Sequence, residues 1–197
     1  MQVDNLAFRY EAGSAEAQFN KLASSDIEKH PLKASYYPDD DIVCLEFKVH
    51  FYNYAFFWDE ENRTAFMEAL RRYKEDYAEK NLTAKKYLRT KRQYGRVTGL
   101  VMWYTFQQHA QGISYPDLEF GYYFKNNMPY FAVTQREAAN VSETTGRQNT
   151  VLPNMVLYFT RDQADVVAAI FNPEHLRSLR QQGRIPSNAP DIETEVL

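Results

Sequence analysis

The sharpest chemical feature is a basic run at residues 84–96, AKKYLRTKRQYGR. It holds Lys85, Lys86, Arg89, Lys91, Arg92 and Arg96, with Tyr87 and Tyr94 between them and no acidic residue. Cations neutralise phosphates and aromatic faces stack on unpaired bases, so this composition suits single-stranded nucleic acid. It suits an acidic protein surface as well. The plain reading is a solvated linker that balances the acidic stretch before it.

A second feature is a surplus of aromatics. The chain has 15 Tyr and 13 Phe. Tyr52, Tyr54, Tyr122, Tyr123, Tyr130 and Trp103 exceed what one small core needs. Tyr and Trp bury area at little entropic cost, which favours them at interfaces. The alternative is a sheet covered on both faces.

Catalytic signatures are sparse. The four histidines, His30, His50, His109 and His175, form no pair at metal-binding spacing, and no HExxH occurs. Glu46 and His50 share one face of a predicted strand and would need a distant third ligand. Asp39–Asp41 lack the glycine and terminal glutamate of a calcium loop. The single cysteine, Cys44, sits mid-strand, far from the cation or helix end that makes a thiolate. No GxSxG, phosphate loop or GxGxxG is present. Asp117, Glu119 and Glu137 are available for paired acid–base work, but no spacing rule brings them together. No cofactor or metal is expected, and an enzyme is disfavoured.

The elements that must position these residues begin with the stretch 42–51, IVCLEFKVHF. Val43, Leu45, Phe47, Val49 and Phe51 alternate with Ile42, Cys44, Glu46, Lys48 and His50, the period of a half-buried strand. We read it as running on to Trp58. Asp59 then caps a helix over about residues 60–79, whose apolar face is Phe66, Leu70, Tyr73 and Tyr77. Upstream, Ser14 is expected to cap a short helix over residues 15–23, with a break at 24–33 and a turn at 36–41. Residues 97–108 read as a central strand and 118–125 as a second. Asn126-Asn127 makes a hairpin into 129–135. Residues 137–149 read as a polar loop and 150–159 as an edge strand carrying Pro153. Thr160 and Gln163 form a capping box for a helix stopped at Asn172-Pro173, and a short basic helix follows over residues 174–182. Ala55–Asp59 and Val156–Thr160 echo each other as aromatic strand ends entering capped helices.

The expected fold is therefore α+β: an antiparallel sheet of about five to six strands, with two main helices packed largely on one face. Residues 1–182 form one domain and 183–197 a flexible tail. A net charge of −3 gives no global drive toward nucleic acid or anionic membrane. No stretch is long and apolar enough to insert in a membrane, and no signal peptide is visible. Read as given the chain is cytoplasmic, although a leader already removed would leave no trace, so the compartment stays unknown. The function expected first is non-catalytic binding of a protein partner, or of a second copy, through an aromatic sheet surface and the basic segment. Single-stranded nucleic-acid binding through residues 85–96 comes second, and a small-molecule or hydrolytic site near Glu46 and His50 third.

Overall fold

The alternation at residue 42 produces a strand, but the chain turns back at His50 rather than running on to Trp58. A computed structural model describes residues 9–22, 25–83, 94–105, 111–142 and 151–182. Its strands are β1 (Tyr10–Asn20), β2 (Ile27–Tyr37), β3 (Ile42–Val49), β4 (Tyr52–Trp58), β5 (Gly95–Thr98), β6 (Leu100–Thr105), β7 (Gln111–Ser114), β8 (Asp117–Lys125), β9 (Met128–Gln135), β10 (Ala138–Ala139), β11 (Val151–Leu152) and β12 (Met155–Phe159). The helices are α1 (Glu60–Ala78), α2 (Arg161–Ile170) and α3 (Pro173–Gln182). Ten of the strands form one antiparallel sheet, ordered β5-β8-β9-β12-β1-β2-β3-β4-β6-β7. β10 and β11 pair separately.

This corrects the expected sheet of five to six strands with two helices: the sheet has ten strands and the described residues hold three helices. The expected helix and break at residues 14–33 are two eleven-residue strands, joined from Tyr10–Tyr36 to Asn20–Ile27. Gly13, at φ 128°, marks a bulge where their register slips. Pro31 is tolerated because the β3 ladder begins at Lys33, leaving Pro31 on a stretch with one strand neighbour. The long strand divides because His50 takes φ 53°, so that Val49 pairs with Tyr52. A positive φ at the first central residue is the requirement of a two-residue II′ hairpin, normally met by Gly.

β5 continues into β6 through Gly99, and β7 into β8 through Tyr115 and Pro116. The Gly99 N–H donates to the Pro116 carbonyl at 2.9 Å, so the ladder crosses the junction. A Cβ at Gly99 would lie 2.6 Å from Leu118 Cδ1. These four segments are thus one hairpin. Its β6–β7 half extends the sheet beyond β4, and its β5–β8 half extends it beyond β9. The two ends of the strand order belong to the same hairpin, and the sheet curls into a half-barrel. The thinnest join is between β1 and β12, where the register is the single pair Gln18–Tyr158.

The main core fills the concave side. Asp59 caps α1 by accepting from the Asn62 N–H at 2.9 Å, with Glu60 and Glu61 in the first turn. One turn on, Phe66 is fully buried and is met nearly at right angles by the rings of Trp58, Phe120, Phe131, Phe159 and Phe171, at 5.2–6.3 Å between centroids. Edge-to-face contacts add to the burial energy of each ring. Arg63, also buried, donates to the Trp58 carbonyl at 2.9 Å and to Asp41 Oδ2 at 2.8 Å. It ties α1 to the β2–β3 turn. Thr160 and Gln163 form the capping box of α2, and Asn126 and Asn127 both take positive φ between β8 and β9. The convex side carries two smaller apolar clusters, around Cys44 and around Tyr158. No described helix is long and apolar enough to cross a membrane.

Two outcomes follow. Phe66→Ala leaves a ring-sized void at the point where five aromatics converge, and we expect a loss of about 3–5 kcal/mol in denaturant unfolding. The second concerns alkali. Burial, then the hydrogen bond to Asp41, pushes the Tyr36 hydroxyl up to about 12, and burial raises Tyr37, Tyr54, Tyr73 and Tyr158 too. Each holds its proton more tightly folded than unfolded, so the stabilisation is complete below the ordinary tyrosine value and is lost as pH rises from there through the raised folded value. The denaturant midpoint should fall steeply between about pH 10 and 12.

Candidate functional site

The convex face of β2, β3, β4 and β6 is built by register. Lys33, Glu46, Ala55 and Met102 lie across the strands in one row, and Lys48, Asn53 and Tyr104 in the next. Side chains two apart on a strand share a face, so the two rows stand together. Ala55 is small, and the larger neighbours frame a depression of about 350 Å³ lined by Lys33, Glu46, Lys48, Asn53 and Tyr104. Glu46 lies 3.5 Å from the Arg9 guanidinium. The Asn53 amide nitrogen and His50 Nε2 are both buried without a hydrogen-bond partner. Beyond Glu46 the face turns apolar, with Cys44, Phe57 and Leu100 in contact.

At the end of this face the β3–β4 turn places Phe51 at 60% exposure, and Tyr104 on β6 is 45% exposed. Tyr52, half-buried, lies 6.0 Å from the ring of Tyr54. Those two rings face the core, so the exposed aromatics here are Tyr104, which lines the depression flanked by Lys33 and Lys48, and Phe51 on the adjoining turn.

Nucleophilic and metal chemistry find little here. Burial, followed by the charge of Glu46, pushes the Cys44 thiol well above its ordinary range, so it stays protonated at neutral pH. Among the described residues no three metal-ligating side chains cluster, and Glu46 and His50 acquire no third ligand. Asp117 and Glu119 are engaged by arginines: Arg96 at 3.4 Å and Arg136 at 2.5 Å.

Of the residues singled out in the sequence, Lys85, Lys86, Tyr87, Arg89, Lys91 and Arg92 lie outside the described residues. Tyr94 is buried. Its hydroxyl donates to Asp76 Oδ2 at 2.8 Å, and Arg72 donates to its carbonyl while standing over its ring. Arg96 is exposed beside Asp117. Tyr54 and Trp103 belong to the core, as do Tyr122 and, on the convex side, Tyr130. Most of the apparent surplus of aromatics therefore fills the half-barrel rather than coating it. The exposed pair, Phe51 and Tyr104, escaped notice because strict alternation through residue 51 places Phe51 on the core side. A turn at His50 has no glycine or asparagine to announce it.

A family model described as "Uncharacterised Treponema protein" matches residues 10–178. The chain belongs to this family. The match takes in all twelve strands, α1, α2 and the first part of α3. No curated protein and no solved structure matches the chain.

If Tyr94 anchors the start of β5 to α1, its hydroxyl matters for stability. Tyr94→Phe removes a donor from the buried Asp76 carboxylate, and we expect a loss of about 1–3 kcal/mol in denaturant unfolding with unchanged far-ultraviolet dichroism. A neutral substitution would make Tyr94 a surface residue in solution.

Proposed function

We propose that this protein is a non-catalytic binding protein that engages a protein partner, or a second copy of itself, through the rim formed by the β3–β4 turn and β6. The observation that carries this reading is the exposure of Tyr104, which lines the lysine-flanked depression, and of Phe51 on the adjoining β3–β4 turn. Exposed aromatics are the residue type enriched at interface anchors, and the two lysines suit the polar rim around them. The interior of the half-barrel is occupied by aromatic side chains, and the Cys44, Asp117 and Glu119 groups that chemistry would need are protonated or held in ion pairs.

A small-ligand reading of the same face is favoured by one observation, the buried and unpaired Asn53 amide beside the depression. A donor left without a partner is costly, and a ligand carbonyl or hydroxyl would satisfy it.

Native mass spectrometry on gently purified protein separates these. We expect a dimer or a complex with a second protein in the wild type, and its loss in Phe51→Ser/Tyr104→Ser with near-ultraviolet dichroism unchanged. A complex that survives the double substitution would remove this rim from consideration. A bound oligonucleotide would overturn the class of partner. A small-molecule adduct lost in Asn53→Leu would establish the second reading in its place.

A further inference from the structure

A cleft of about 170 Å³ lies on a different part of the molecule, between the β2–β3 turn, the first turns of α1 and one side of α3. Three arginines line it, Arg63, Arg177 and Arg180, against two carboxylates, Asp41 and Glu60. Tyr36 and Thr64 contribute hydroxyls.

The carboxylate of Asp41 is fully engaged. Its Oδ1 accepts from the Tyr36 hydroxyl at 2.8 Å and from Arg180 Nη2 at 3.3 Å, and its Oδ2 accepts from Arg63 at 2.8 Å. Arg63 also donates to the Asp41 and Trp58 carbonyls, so its charge is balanced within the fold. Arg180 is positioned from two further sides: it donates to the Pro38 carbonyl at 2.7 Å and stands over the Tyr36 ring. Its Nε is buried with no partner. Arg177, one turn earlier on α3, is exposed and has no ion-pair or hydrogen-bond partner among the described residues.

The cleft therefore retains one uncompensated guanidinium and one buried, unfilled N–H, while Glu60 is the carboxylate left facing them. Buried donors are nearly always satisfied, and an arginine fork matches an oxyanion with two parallel hydrogen bonds. The geometry points to an oxyanion site: this cleft takes the phosphate or carboxylate group of a small molecule, held by the exposed Arg177 and, once its side chain turns toward the cleft, by the unfilled Nε–H of Arg180. The site is independent of the aromatic rim and does not rest on the reading of that rim.

The test is a titration of inorganic phosphate into the full chain at ionic strength held constant with potassium chloride. It reads the thermal midpoint and the arginine Nε–H resonances. Phosphate should raise the midpoint saturably and shift the Arg180 Nε–H signal. Arg177→Gln, at an exposed position that leaves the Asp41 contacts intact, should weaken the response about tenfold. Glu60→Gln should strengthen it, because it removes the opposing charge. Arg96→Gln, on a distant strand, should match the wild type. Acetate that saturates with the same Arg180 shift would support the carboxylate form of the ligand. A wild type that responds to phosphate no more than to chloride would overturn the site, as would an Arg177→Gln variant that titrates like the wild type.

Discussion

One hairpin has to serve both ends of the sheet, and most of the architecture follows from that. The arm made of β5 and β6 and the arm made of β7 and β8 hydrogen-bond to each other along their length. The arms then diverge to β4 on one side and β9 on the other. With the two arms counted once each beside β1, β2, β3, β4, β9 and β12, the curl passes through eight strand positions. Eight strands enclose a space that side chains just fill. Here that space receives the apolar face of α1, with Phe66 at its centre. The helix enters where β4 stops, so the gap between β4 and β5 is where the chain leaves the sheet to fill the inside.

Arg63 makes that entry possible. A guanidinium at 4% exposure is costly unless its donors are used, and its contacts to Asp41 and Trp58 use them. The same Asp41, held at φ 53°, receives Tyr36 from β2 and Arg180 from α3. Three elements far apart in sequence are fixed on one carboxylate at the turn before β3. The aromatic rim lies at the other end of β3, where His50 and Phe51 turn the chain.

The parts of this structure that were legible are those with local chemistry. Asp59, the spacing of Phe66, Leu70, Tyr73 and Tyr77, the Thr160–Gln163 box and the Asn126-Asn127 turn each stand where the residues place them. β1 and β2 were not legible, because the inward residues of β1 are largely alanines. Ala15 and Ala17 alternate with Glu16 and Gln18, but alanine has little size to mark a buried face and favours helix intrinsically. Phe19 and Leu22 stand three apart, as on one face of a helix, but Phe19 is core and Leu22 is 65% exposed in the turn. The aromatic content misled for a related reason. A small flat sheet leaves many tyrosines outside, while a large curled one has an interior that consumes them. The cleft between α1 and α3 was invisible in the sequence, because Asp41, Arg63 and Arg180 meet only after the half-barrel has closed.

The shell is not equally strong all the way round. Neighbouring strands such as β1 and β2 share ten register pairs, whereas β1 and β12 share one. What reinforces that join is mostly side chains: Asn20 donates to the Tyr158 hydroxyl, and Lys125 donates to Asn20 while lying over the Tyr158 ring. Gln163 on α2 also reaches this strand: it accepts from the Gln18 amide and donates to Glu16. Opening along this line would break few backbone hydrogen bonds and leave the β1–β2 and β9–β12 ladders intact. The backbone amides uncovered by such an opening are those along the facing edges of β1 and β12, while the β2–β3 and β3–β4 ladders stay paired. The freed backbone edge of β1 is then the template on which two copies of this chain would exchange strands.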